Sequence, residues 1–189
     1  TQSRSLTFAD SSVTAEFNVN SNKTLTWSGL VNDSSGGQTI QKTGAGSLAF
    51  TNNANSYDGL VDIDAGVVSL TLAAMEHAEV NLGVNNGLAL SSSTVSIGSL
   101  TGGSSLSVGS GKTLKVGTSN ENFSFSGNLS GSGALTKVGT GKFSYSGTST
   151  LAAGISLEAG TLEIVPSFLQ YCEPHKSPQV HSLQPTAEP

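Results

Sequence analysis

Three aspartates, Asp58, Asp62 and Asp64, stand close together in the chain. On a strand, residues two apart share a face, so Asp62 and Asp64 point one way and Ile63 the other. Paired carboxylates of this kind serve glycoside hydrolysis or bind calcium. The corresponding positions of a second, similar stretch hold Ser156 and Glu158, which makes the aspartate pair read as an ordinary solvated strand face. Arg4 is the single arginine available to hold an acidic sugar. His77 lies between Glu76 and Glu79, but general-base work needs a nucleophile and an orienting group within reach. Serines abound, yet no G-x-S-x-G elbow occurs. Trp27 and Tyr57 have rings that could stack on a sugar; Trp27 falls in phase with Leu25 and is expected in the core. Cys172, His175 and His181 are metal-ligating types without a second cysteine or a fixed geometry. Asn-x-Ser/Thr triplets at Asn22, Asn32, Asn122 and Asn128 are what this composition generates by chance. The sequence therefore predicts no catalytic, cofactor-binding or metal-binding residue, no cofactor, and no enzyme.

The elements that would position these residues are short strands. Apolar side chains recur at every second position in "SLTFAD" (Leu6, Phe8), "VTAEFNVN" (Val13, Ala15, Phe17, Val19) and "TLTW" (Leu25, Trp27). The pattern continues through "SLAF" (Leu48, Phe50), "VVSLTL", "AEVNL", "GLAL", "TVSI", "SLSV", "TLKV", "NFSF", "KFSY", "ISLE" and "TLEI". Side chains at i and i+2 on one face are the period of a strand with one side buried. Gly, Asn, Asp and Ser lie between, the residues that tolerate tight turns. "AAMEHAEV" (residues 73–80) is the one candidate for helix and predicts at most a single turn or an irregular corner.

Composition narrows the class. Hydrophobic residues are 35% and charged residues 11% of 189, against roughly 45–50% and 25% in an average domain. Gly, Ser, Thr and Asn fill the difference, and the regular apolar spacing argues for an ordered, turn-rich protein rather than a disordered one. Net charge is -5 and the eight Lys and Arg are scattered singly. No basic patch suits a nucleic-acid backbone or an anionic membrane surface. One cysteine excludes an internal disulfide framework, and cysteine avoidance suits passage through an oxidising compartment. No apolar run approaches the ~18 residues of a membrane span. The opening "TQSRSLTF" enters a strand pattern directly, which reads as a piece of a longer polypeptide.

Strands every ~8–12 residues fit a sandwich or barrel as well as a solenoid; an internal repeat separates them. "KTLTWSG" (23–29) answers to "KTLKVG" (112–117), "QKTGAGSLAF" to "TKVGTGKFSY", and "DIDAGVVSL" (62–70) to "SLEAGTLEI" (156–164). Three matches in one order point to stacked units that each bury a face on the next. No proline precedes Pro166, as an uninterrupted hydrogen-bonded ladder requires.

These residues resemble the β-strand repeats of bacterial autotransporter passenger domains, which read G-x-L-x-K-x-G-x-G-x-L-x-L, then an N-x-Y-x-G corner, then a strand ending in A-G-x-L. Lys42, Gly44, Gly46, Leu48 and Phe50 match the first part; Asn55, Tyr57 and Gly59 match the corner; Ala65 and Gly66 match the end. The second copy runs from Gly133 through Tyr145 to Ala159 and Gly160, with "GTSTLAAG" where the corner's Asn and Tyr would stand. The resemblance implies an all-β, right-handed parallel β-helix over residues 1–165. At ~20–25 residues per coil this gives roughly seven coils and a rod about 35 Å long. It implies that Gly-x-Gly turns a corner, that Leu48 and Phe50 enter the core, and that the lysine sits at a strand start with its charge outside, its stem snorkelling along the wall. The implied role is a non-catalytic stalk on a Gram-negative cell surface or secreted from it. It would contact host-surface or matrix glycans and proteins, or self-associate between cells, and would meet a membrane only through a separate C-terminal barrel. A carbohydrate-active β-helix enzyme and a phage or spore fibre segment are the alternatives.

After Val165 the composition breaks. Residues 166–189 hold all five prolines, the cysteine, two of the three histidines and no glycine. Such a segment predicts a disordered tail or linker, and the abrupt change is compatible with an extension foreign to the repeat protein.

Overall fold

The computed structural model describes residues 1–10, 12–33 and 36–165. The expectations for Cys172, His175, His181 and the proline-rich tail lie outside the described residues.

Every strand pairing among the described residues is parallel. The largest sheet has eight strands stacked in chain order: β2 (Thr14–Asn18), β5 (Thr39–Thr43), β7 (Leu60–Ile63), β9 (Met75–Leu82), β11 (Thr94–Gly102), β13 (Thr113–Val116), β16 (Ala134–Lys137) and β19 (Ile155–Leu157). A second wall is β3 (Thr24–Trp27), β6 (Ser47–Phe50), β8 (Val67–Leu70) and β10 (Leu88–Leu90). Smaller sheets are β1 (Leu6–Phe8) with β4 (Val31–Asp33); β12 (Leu106–Ser107), β15 (Leu129–Gly131) and β18 (Ser149–Leu151); and β14 (Phe123–Phe125), β17 (Lys142–Tyr145) and β20 (Thr161–Ile164). Neighbours in each sheet are about one coil apart in sequence, so the chain is an all-β parallel solenoid of about 7 turns.

Alternation is what stacks it. Inward positions of successive coils lie over one another, as with Leu25, Leu48, Val68 and Leu88 in the second wall, and they fill one narrow core. Leu48, Phe50, Val68 and Leu70 have no solvent exposure, as expected of the two teeth. Trp27 is half-buried and packs edge-on against Phe17, 5.6 Å between ring centroids. At the last described coil Leu157 and Ile164, inward by register, are exposed.

Of the turn or corner expected at residues 73–80, Ala73 and Ala74 lie in a turn, closed by the Ala74 N–H donating to the Thr71 carbonyl, and the rest, from Met75, is strand. Ala78, Val80 and Leu82 face the core while Glu79 and Asn81 face out, and pairing with β7 and β11 overrides the weak helical spacing. An irregularity survives inside it. Ile97 pairs with Met75 but Ser99 pairs with Glu79, so β9 spends two more residues than β11 over the same span. Here the large sheet changes walls. The second half of β11 continues β9, whereas its first half, Thr94–Ile97, carries β13 and the strands after it. The hydrogen bond from Ser126 N–H to the Gly102 carbonyl and the packing of β14 on β11 keep the original column going under different strands.

Candidate functional site

The handover between walls leaves a depression of about 620 Å³ on the outside of the solenoid. It is lined by Ser56 and Asp58, by His77 of β9, and by Thr118, Ser119, Asn120 and Glu121 in the connection after β13. An adjoining depression of about 350 Å³ shares Asp58, His77, Ser119 and Glu121 and adds Glu79, Ser99 and Thr101 on the outward side of β9 and β11. Thr118 in that connection ties it down by donating to the carbonyls of Glu76 and Ile97. Thr101 Oγ1 donates to Glu79 Oε1 at 2.8 Å. Asp58 N–H donates to Asp33 Oδ2 at 3.0 Å, and burial, then the Asp58 carboxylate, push the Asp33 carboxyl above its usual range. The groove thus offers carboxylates, an imidazole and hydroxyls, and its lining holds no lysine or arginine. That chemistry hydrogen-bonds and attracts cations. Among the described residues no group of three or more His, Cys, Asp or Glu side chains is placed to hold a metal.

Asp62 and Asp64 do not join the groove. Asn81 Nδ2 donates to Asp62 Oδ1 and Gln41 Nε2 to Asp64 Oδ2, both at 2.7 Å. Each carboxylate is linked to an amide on a neighbouring coil. Tyr57 offers no sugar platform: it is 1% exposed, and its hydroxyl lies 2.8 Å from the carbonyls of Gln38 and Leu60. Burial raises its phenol pKa, with smaller upward effects from Asp33 and Asp58.

The chemistry that sequence reasoning missed is inside the wall. Lys42 and Lys137 were expected to carry their charge outside; both are fully buried. Lys42 Nζ donates to the carbonyls of Thr43 (2.6 Å), Gly44 (2.7 Å) and, one coil on, Ala65 (3.0 Å). Lys137 Nζ donates to those of Val138, Gly139 (3.0 Å) and, again one coil on, Ala159 (3.5 Å). The Gly-x-Gly turn explains the inversion. Gly44 and Gly139 adopt left-handed φ of 70° and 68°, which L side chains avoid, and the turn aims two carbonyls at the lysine's own ammonium. Gly66 and Gly160 complete each socket, since a Cβ there would lie 2.8 and 3.0 Å from the two nitrogens. Burial pushes both lysine pKa values down. A lysine at an inward strand position in front of Gly-x-Gly, repeated at both copies, was the available signal.

The corner residues also have structural partners. Asn55 stands one coil beyond β4, where the third wall, begun by β1 and β4, has no strand. Its Oδ1 accepts from Val31 N–H at 2.9 Å and its Nδ2 donates to the Ala74 carbonyl at 2.6 Å, so a side-chain amide replaces a peptide group between coils. In the second copy Tyr145 takes up part of the role of Tyr57. Its hydroxyl donates to the Thr148 carbonyl at 2.5 Å, three residues on, as Tyr57 reaches Leu60.

A family model described as passenger-associated-transport-repeat matches the chain twice, at residues 40–70 and 135–164. Both lysine sockets fall within these matches, and the resemblance to autotransporter passenger repeats holds at both places. No curated protein and no solved structure matches the chain.

Proposed function

We propose that this chain, carrying two passenger-associated-transport-repeats on a parallel solenoid, is a structural segment of a Gram-negative autotransporter passenger, displayed at the cell surface or secreted. It acts by spacing and contact rather than by catalysis. The observation that carries this reading is the use of the repeat's most distinctive side chains. Lys42, Lys137, Asn55 and Tyr57 are all spent on holding coil to coil. What the outside presents is a wall of Ser, Thr and Asn with the acidic groove set into it. Such a surface suits adhesion to host-surface or matrix glycans and proteins, or self-association between cells.

Beads coated with the full chain test it. Bead clumping, or retention on immobilised matrix glycans or proteins above that of beads coated with an unrelated protein, is the expected result. Release of reducing ends from pectin-like or chitin-like polymers, lost in Asp58→Asn with Glu79→Gln, would overturn the non-catalytic reading.

A further inference from the structure

We propose that the two lysine sockets are built cation sites, each made of backbone carbonyls from two successive coils, with the lysine ammonium as the resident cation that latches one coil to the next. An ammonium has three N–H donors, and each socket presents three carbonyls to it. The match is complete without any carboxylate. Carbonyl rings that replace a hydration shell are how proteins hold bare monovalent cations; here the ion is tethered to the chain. Two copies built on different walls share the same parts: the carbonyl of the residue after the lysine, that of the left-handed glycine, that of an alanine 22 or 23 residues on, and the glycine after it. A merely tolerated buried lysine would not recur with the same donors, acceptors and clearances.

The latch has a direction. The first two carbonyls come from the lysine's own turn, but Ala65 and Ala159 belong to the following coil. Until the next coil is in place the ammonium shares its turn's two carbonyls with water; once that coil covers it the third carbonyl must be there, because an unsatisfied buried charge is strongly unfavourable. The free ligands that fit such a socket are ammonium, short primary alkylammonium and potassium ions.

Lys42→Ala and Lys42→Met in the full chain test this, with melting followed in ammonium, n-propylammonium, potassium and tetramethylammonium chlorides at equal concentration. Lys42→Ala is expected to melt lower by on the order of 5–10 °C. Ammonium or propylammonium should restore at least half of that loss, tetramethylammonium should not, and the unmutated chain should not distinguish the salts. Lys42→Met, which fills the space without charge, is expected to stay low in every salt. A Met variant as stable as the parent overturns the proposal, because burying hydrocarbon there would then be as good as the cation. Rescue that does not depend on the cation overturns it as well. Should Lys42→Ala fail to fold, Lys137→Ala with amide exchange at Thr161–Ile164 reads the same latch near the last described coil. The unmutated chain gives an independent reading. Nζ–H signals of Lys42 and Lys137 should persist at pH 8 while that of exposed Lys23 is lost to exchange, and fast exchange at both buried lysines sinks the idea.

Discussion

The two copies of the repeat agree in one half and differ in the other. Around Lys42 and Lys137 the strand, the left-handed glycine, the carbonyl socket and the closing glycine correspond part for part, although the alanine carbonyl one coil on is nearer to Lys42, at 3.0 Å, than to Lys137, at 3.5 Å. Past the second strand they diverge. The first copy bridges a gap in the third wall with the Asn55 amide; the second runs on into β18, whose backbone pairs with β15 directly. The first half rests on regular ladders to the coils before and after it and on its own turn. The second depends on what the neighbouring coils supply, so its residues change when the neighbours do. The second copy also leans on ring stacking, Phe123 on Phe143 at 4.8 Å and Phe125 on Tyr145 at 6.3 Å, where the first has the tilted contact of Phe8 with Tyr57.

The closing glycines should separate the copies most. Gly66→Ala forces a side chain into a left-handed conformation and puts Cβ 2.2 Å from the Gly46 carbonyl oxygen. Urea titration should show a loss of more than about 4 kcal/mol. Gly160→Ala meets carbonyls at 2.5 Å on a coil whose Leu157 and Ile164 are exposed and can shift; about half that loss is expected. Equal losses would mean that the last coil is as rigid as the interior ones.

Asn55→Ala strands the Val31 N–H and the Ala74 carbonyl and should cost about 2–4 kcal/mol. Faster amide exchange centred on Val31 would place the damage at the bridge. Thr148→Ala in the second copy, where a regular ladder does the bridging, should cost less than about 1 kcal/mol.

The tyrosines give a smaller contrast. Burial raises the phenol pKa of both Tyr57 and Tyr145 above the ordinary value of about 10. A raised folded pKa gives stability that is complete below pH ~10 and is lost as pH climbs towards the folded value. The buried lysines run the other way, since their lowered pKa makes the unfolded chain the better proton binder in alkali. Tyr57→Phe isolates the phenol: between pH 9 and 11.5 its stability should fall less steeply than the parent's, with Tyr145→Phe showing the weaker change. Smallest of all, Glu158→Gln breaks an exposed 3.0 Å pair with Lys115 and should move stability by no more than ~0.5 kcal/mol.

Much of this fold was legible because apolar teeth at every second residue leave little choice but half-buried strands, and the ordered repeat with no early proline points to stacking. Six strands lay outside the alternating series for local reasons. Those at Thr39–Thr43 and Ala134–Lys137 each place a lysine at an inward position, which disguises a tooth as a surface residue. Those at Val31–Asp33, Leu129–Gly131 and Ser149–Leu151 each bury one apolar residue, too few to show a period, and Leu60–Ile63 adds an apolar residue on its outer side. The site was less legible. Asp58, His77 and Glu79 were all singled out, but Ser99 and Glu121 reach them only through the wall change inside β9 and β11. A register shift of that kind is decided by pairing between coils and leaves no mark in either strand alone.

That shift also sets the bearing of everything downstream. Because the large sheet passes to the adjacent wall between the copies, the Lys137 turn opens onto a different side of the column from the Lys42 turn. A flat partner laid against one copy's corner would find the other copy's corner turned away from it. Two similar patches of sequence are thereby kept from acting as two adjacent handholds.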